Sequence, residues 1–232
     1  MNKLLVKGIF IEEAKGRFLC TVNIDGRQEL CYVSSSSKLS HFIYLKGREV
    51  LLTENKGSNI RTKYTLYAVK TEEGYALLNL TYINEILLCE FNKAGSLYSN
   101  GGKIYPEKKI NDTLKVDFFI EGKKDIIIEA KGILTEEQTA KFPAMRVLRA
   151  ERQLLQFEKF LNKEIDIHYY LILMNAAIKA IQIDVDYKEF KQPFKRCIKN
   201  GMQLYVYKAI WQKEFQIVRD HKLEQELMKS IV

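Results

Sequence analysis

Lys115–Gly132, KVDFFIEGKKDIIIEAKG, is the stretch on which the reading of the fold turns. It spells two strands around a turn, the first carrying Asp117 and the second Glu129-Ala130-Lys131. Glu129 and Lys131 are two residues apart, so on a strand they share a face. Whether Asp117 joins them is a matter of register. With Glu121 opposite Asp125 across the loop Gly122-Lys123-Lys124, Asp117 falls directly opposite Glu129; a slip of one residue sends it to the other face. Loops of this length are common in hairpins, and Gly122 and the lysines suit one. Ile126-Ile127-Ile128 marks a strand covered on both faces. Charges at the end of such a strand call for a reason.

Two facing carboxylates repel unless a cation lies between them. Mg²⁺ takes carboxylate, carbonyl and water oxygens, which makes Asp117, Glu129 and the Ala130 carbonyl candidate ligands. Glu107, ahead of the first strand, is a candidate third acid or equally a solvated partner of Lys108 or Lys109. Mg²⁺ or Mn²⁺ held there polarises a phosphate and acidifies a bound water, and Lys131 would hold the attacking water or the developing charge. Asp followed by Glu-x-Lys on adjacent strands resembles the PD-(D/E)XK nuclease motif. The same residues at a solvated hairpin end are the commoner case.

The chain's 232 residues fit one large or two small domains, and 47% hydrophobic with 28% charged residues is a globular balance. A net charge of +8 favours a polyanionic partner. No apolar run is long enough to span a membrane and the opening residues are too short in apolar run for a signal peptide, so a cytoplasmic protein with no membrane partner is expected. None of the four cysteines forms a C-x-x-C pair, which argues against a zinc knuckle. Cys20, Cys31 and Cys89 read as small core residues.

Lys3–Glu12, Arg17–Ile24, Gln28–Val33, Glu49–Glu54, Tyr64–Thr71 and Tyr75–Leu80 read as short strands separated by turns, among them Asp25-Gly26, and predict an OB-like β-barrel. Arg61, Lys63 and Tyr64 form a basic-aromatic cluster, and Lys38 follows the serine run Ser34–Ser37. These are candidate nucleic-acid contacts, and equally a soluble surface and a polar loop. A helix over Tyr82–Phe91 and a loop over Ala94–Gly102 lead to the hairpin. Thr135-Glu136-Glu137-Gln138 has the signature of a helix start. Ala144–Asn162 is the strongest helix, with Val147, Leu148, Leu154, Leu155 and Leu161 as its apolar stripe and Arg146, Arg149, Gln153 and Gln156 on another face. Arg149 is thus a candidate phosphate contact, on a face that is more often only solvated. The strand Ile165–Met174 then makes a parallel crossover, with His168 as a packed core histidine. Ile178–Val185 reads as an edge strand. Asp186 and Glu189 suggest a capping box opening a helix to Asn200 with Pro193 inside. Met202–Trp211 is the last clear strand and Leu223–Val232 a short helix.

Taken in order, these elements resemble the sugar fermentation stimulation protein family (SfsA) over nearly the whole chain. The markers are Arg17-Phe18-Leu19, Asp25-Gly26-Arg27, Arg61 to Tyr64, Asn79, Asn84 and Val116-Asp117-Phe118, continued by Ile128-Glu129-Ala130-Lys131, Phe142-Pro143, Arg149 and Tyr205 to Lys208. The resemblance implies an OB-like β-barrel, residues 1–85, followed by a PD-(D/E)XK mixed β-sheet domain flanked by helices, residues 86–232. It also implies DNA binding, with strand type open, and a metal-dependent DNA or RNA nuclease using Asp117, Glu129 and Lys131. A DNA-binding protein without catalysis is the alternative, and a carbohydrate-binding module comes third. The chain departs from the family in four places. Val33-Ser34-Ser35-Ser36-Ser37 stands for Cys-Pro-Asn-Thr-Gly, Ala144 for an Asp, Leu148 for a Glu and Gln153 for a His. Glu151, one turn on, is a candidate substitute for the acid missing at Leu148.

Overall fold

In the computed structural model the hairpin takes the register that sets Asp117 opposite Glu129. Phe118 pairs with Ile128, Phe119 with Ile127 and Ile120 with Ile126. The structure describes residues 4–14, 18–35, 37–56, 60–98, 102–161 and 165–231. The expected roles of Lys3, Arg17, Ser36, Asn162 and Val232, and residues 99–101 of the expected loop, lie outside the described residues.

The first half contributes β1 (Leu5–Glu13), β2 (Leu19–Ile24), β3 (Arg27–Tyr32), β4 (Glu49–Glu54), β5 (Tyr64–Thr71) and β6 (Gly74–Leu77). Strand order β3-β2-β1-β4-β5-β6 with an added β3–β5 pairing closes five of them into a ring, the OB arrangement. Asp25 and Gly26 join β2 to β3 with φ of 50° and 82°, the left-handed pair that a two-residue hairpin turn of matching twist requires. α1 (Leu80–Phe91) follows, its first turn capped by Asn79, whose side chain accepts from Tyr82 N at 3.2 Å.

The second half runs β7 (Lys103–Pro106), β8 (Lys109–Asn111), β9 (Leu114–Lys115), β10 (Phe118–Glu121), β11 (Ile126–Ile133), β12 (Thr139–Phe142), α2 (Leu148–Leu161), β13 (Asp166–Leu173), β14 (Ala180–Ile183), α3 (Lys188–Lys199), β15 (Gln203–Trp211), β16 (Phe215–Arg219) and α4 (His221–Ile231). Its main sheet is mixed, in the order β16-β15-β13-β11-β10-β7. β11, β13 and β15 are parallel at its centre, with antiparallel strands at both edges. One face of this sheet shares a core with the barrel and α1, as where Tyr67 of β5 meets Phe215 of β16 at 5.6 Å between ring centres. The other face is covered by α2, α3, α4 and the β12–β14 pair.

Several expectations need correction. Residues 135–138 do not start a helix. Thr135 Oγ1 accepts from Glu137 N at 3.2 Å in a local turn, and the Glu136 carboxylate reaches Tyr44 N and Arg48 of the barrel. Thr139-Ala140-Lys141-Phe142 then alternates buried with more exposed residues and pairs in parallel with β14. α2 begins at Leu148 rather than Ala144 and buries Ala150, Gln153, Leu154 and Phe157, while Leu148 is 67% exposed. At the start of α3 the capping position belongs to Tyr187, with no side-chain cap. Pro193 sits inside α3 without ending it, in its second turn, where the lost N–H would have met the Glu189 carbonyl. Cys89 lies on α1 and is exposed, whereas Cys20, Cys31 and Cys197 are buried. β16 follows the strand expected to be last.

Candidate functional site

The two strands of the hairpin part at Asp117, and its side chain takes over where the ladder stops. Asp117 Oδ2 accepts from Ala130 N at 2.8 Å, and Oδ1 accepts from Asn84 Nδ2 of α1 at 3.1 Å. The carboxylate is thereby fixed between the hairpin and the first helix. On β11, Glu129 and Lys131 project to the same side, and the Lys131 ammonium donates to Glu129 Oε1. The Glu129 side chain is 5% exposed and that of Lys131 30%, so the acid forms a floor and the base reaches toward solvent.

Burial pushes the Glu129 carboxyl up to about 7, and the nearby Asp117 charge pushes the same way. Lys131 and the Gln153 amide oppose this by favouring the ionised form. Gln153 does not complete a bond to the second oxygen: Glu129 Oε2 is a buried polar atom with no hydrogen-bond partner. A buried carboxylate oxygen without a partner is one that a small cation would satisfy. Among the described residues no group of three or more His, Cys, Asp or Glu side chains could hold a metal ion. Asp117, Glu129 and the Ala130 carbonyl would offer oxygen donors alone, the kind a hard cation that keeps water or substrate oxygens takes.

These residues line a cleft of about 500 Å³ between the barrel and the sheet domain. Glu107 and Arg149 also line it. The Glu107 carboxylate pairs with Lys115, and its backbone N donates to the Asp117 carbonyl at 2.7 Å. Arg149 is exposed at the start of α2. The expected nucleic-acid contacts on the barrel are not among the cleft's walls. Arg61 and Lys63 are exposed elsewhere, Lys63 lying over the buried Tyr64 ring at 5.1 Å. Lys38 faces a separate groove that also includes Glu12 and Glu13. Glu151 does not replace the acid missing at Leu148; it accepts a hydrogen bond from the Tyr187 hydroxyl. His168 is a core residue, its Nδ1 2.6 Å from the Tyr98 hydroxyl.

Two supporting residues have roles that the sequence did not give. Asn84 stands out only as one of the family markers, with no link to Asp117. Gln153 reads as part of an exposed helix face, yet it is 6% exposed. A glutamine at the position of a family histidine was the available signal. Three of the four departures from the family lie here: Ser35, Ser37 and Ala144 line the cleft, and Gln153 lies against Glu129.

Comparison with known proteins places both halves. The N-terminal OB domain of SfsA matches residues 15–78, and the sugar fermentation stimulation protein RE domain matches residues 82–215. The sugar fermentation stimulation protein homolog of Clostridium beijerinckii is 24% identical over 221 residues, covering 94% of this chain and 96% of its own. That of Desulfitobacterium hafniense is 28% identical over 168 residues, covering 66% and 72%. The solved structure of Pyrococcus furiosus SfsA in complex with Ca²⁺ superposes with a TM-score of 0.77 at 19% identity over 93% of each chain, a likeness of fold. With the RE-domain match alone spanning more than half of its residues, the chain belongs to the sugar fermentation stimulation protein family.

Proposed function

We propose that the protein is a metal-dependent phosphodiesterase of PD-(D/E)XK type acting on nucleic acid. The observation that carries this is the buried, unpartnered Glu129 Oε2, with Lys131 bonded to the other oxygen and the Asp117 charge near enough to act on the same carboxyl. Asp117, Glu129 and the Ala130 carbonyl would hold Mg²⁺ or Mn²⁺, with Glu107 near enough to the cleft to serve through water. When bound, that ion supplies Lewis-acid activation of the phosphate and a more acidic water. Asn84 and the Ala130 N–H hold Asp117 in place. Lys131 orients the incoming water and balances charge at the phosphate. The water oxygen bonds phosphorus as a P–O ester bond breaks, and the departing oxygen takes up a proton. Arg149 at the cleft mouth contacts a neighbouring phosphate. The Ca²⁺ named for the archaeal relative is likewise an oxygen-seeking cation.

The test is incubation with end-labelled DNA and RNA, single- and double-stranded, in Mn²⁺. Cleavage that is lost in Lys131→Ala is the expected result. No cleavage by the wild type, or equal cleavage by the variant, refutes the reading and leaves a DNA-binding protein without catalysis.

A further inference from the structure

The shape of the cleft says more about the substrate than its floor does. One wall is the barrel segment after β3, and the other is the β12–α2 connection. They touch where Ser37 Oγ donates to Met145 Sδ at 3.3 Å, and both residues line the cleft. The barrel segment is held in its own right. Ser35 Oγ donates to the Ser37 carbonyl at 2.7 Å, and the Glu13 carboxylate takes the Leu39 and Ser40 N–H groups at 2.6 and 3.1 Å. Beyond the cleft the two halves are tied again. The Glu136 carboxylate accepts from Tyr44 N at 3.0 Å and pairs with Arg48, and Leu77 N donates to the Met174 carbonyl at 2.8 Å.

The cleft is thus a slot whose two walls are tied to one another. Its volume of about 500 Å³ is that of a site for one small molecule. A cleft of that volume holds about one nucleotide. The Glu129 carboxylate that lines it is almost wholly buried, so a reacting phosphate has to enter the cleft to reach it. The walls include apolar and aromatic residues, Leu39, Phe42, Ile133, Phe142 and Met145 among them. Such a lining takes the face of an unstacked base without regard to its identity.

We infer that the slot admits one unpaired nucleotide, so that the nucleic acid recognised is single-stranded or locally unpaired at the reacting phosphate. This rests on the phosphodiesterase reading for the role of the floor, but its binding test does not. The full-length protein in Ca²⁺ and physiological salt is titrated into a fluorescein-labelled single-stranded oligonucleotide, and separately into the same sequence closed as a hairpin duplex. Anisotropy should show at least about tenfold tighter binding of the single strand. Ala144→Trp, which adds bulk at an exposed position lining the slot, should remove most of that preference and leave duplex binding unchanged. Equal affinity for the two forms overturns the inference, as does a preference that survives Ala144→Trp in a folded variant. Single-strand preference without cleavage in Mn²⁺ would uphold the slot and refute the hydrolytic reading; cleavage with equal affinities would do the reverse.

Discussion

Glu129→Gln keeps the shape of the side chain and removes its charge. In the fold this carboxyl is pushed from 4.5 up to about 7, chiefly by burial. Each tenfold change in proton affinity is worth about 1.4 kcal/mol, so carrying the ionised form costs the folded state about 3 kcal/mol. The sign follows from which state loses its proton first. Below pH 4.5 both states are protonated and the group has no effect. Between 4.5 and 7 the unfolded chain ionises while the fold still holds the proton, so stability falls as pH rises. Above about 7 the full cost is present. Glutamine escapes it, and for a chain of this size about 3 kcal/mol corresponds to about 6–12 °C in melting temperature. Thermal melts in chelator should therefore show Glu129→Gln about 6–12 °C above wild type at pH 8 and level with it at pH 4.5. Mn²⁺ at about 100 times its Kd should then raise the wild type alone, by about 2.7 kcal/mol, while the variant stays inactive. A variant equal to or less stable than wild type at pH 8 would refute the reasoning. The orphaned oxygen would then have a partner that the geometry does not show.

Lys131→Met should lower the single-turnover cleavage rate by about 10²–10³-fold, the usual loss when one positioned donor at a reacting centre is removed. Its melting temperature should fall at pH 8 and change little near pH 4.5, because Lys131 is the partner that favours the ionised Glu129. Asn84→Leu removes the 3.1 Å bond to Asp117 Oδ1 and should weaken Mn²⁺ binding by about 10–100-fold in calorimetry, as loss of a ligand's supporting partner does. An unchanged Kd would show that the Ala130 N–H suffices. His168 is held neutral, its pKa lowered from 6.5 to about 4 by burial. The fold therefore cannot take up the proton that the unfolded chain gains. Full stability holds above about pH 6.5, and about 3 kcal/mol is lost as pH falls to 4. Denaturant midpoints for wild type and His168→Asn should diverge over that range, and parallel profiles would refute it.

The hairpin was legible in the sequence, but its register was open. A triple isoleucine strand is covered on both faces, so a slip of one residue leaves apolar residues inside either way. The turn decides it: Phe118 against Ile128 is the register of a loop over Gly122-Lys123-Lys124, and it sets Asp117 opposite Glu129. The barrel was legible for a similar reason, with turn residues such as Asp25-Gly26 setting strand ends. What stayed hidden depends on distant partners. Gln153 falls on the i, i+3, i+4, i+7 face of Ala150, Leu154 and Phe157, but its polar side chain hides it from an apolar stripe until Glu129 is placed against it, and the apolar Leu148 is left outside. Glu136 looked like part of a helix start because its carboxylate can serve a local N–H; it serves Tyr44 N, 92 residues away. The contact between the cleft's two walls joins Ser37 and Met145 across 108 residues. Neither carries a signal until the barrel and the sheet are brought together.

The departures from the family bear directly on how the proposed site would work. Ala144 lines the cleft where the family usually has an Asp, and among the described residues no third acid gathers with Asp117 and Glu129 closely enough to complete a metal-holding group. The floor then carries two carboxylates and one ammonium, a formal charge of −1 when Glu129 is ionised. Two carboxylates and a carbonyl fill only part of an octahedral oxygen shell, and the remainder falls to water and to the phosphate itself. On the proposed reading, a slot for one nucleotide and an incomplete donor set answer one another. The nucleotide that the slot admits brings the missing oxygens, so cation and single strand should bind cooperatively, each raising the affinity of the other by the same factor.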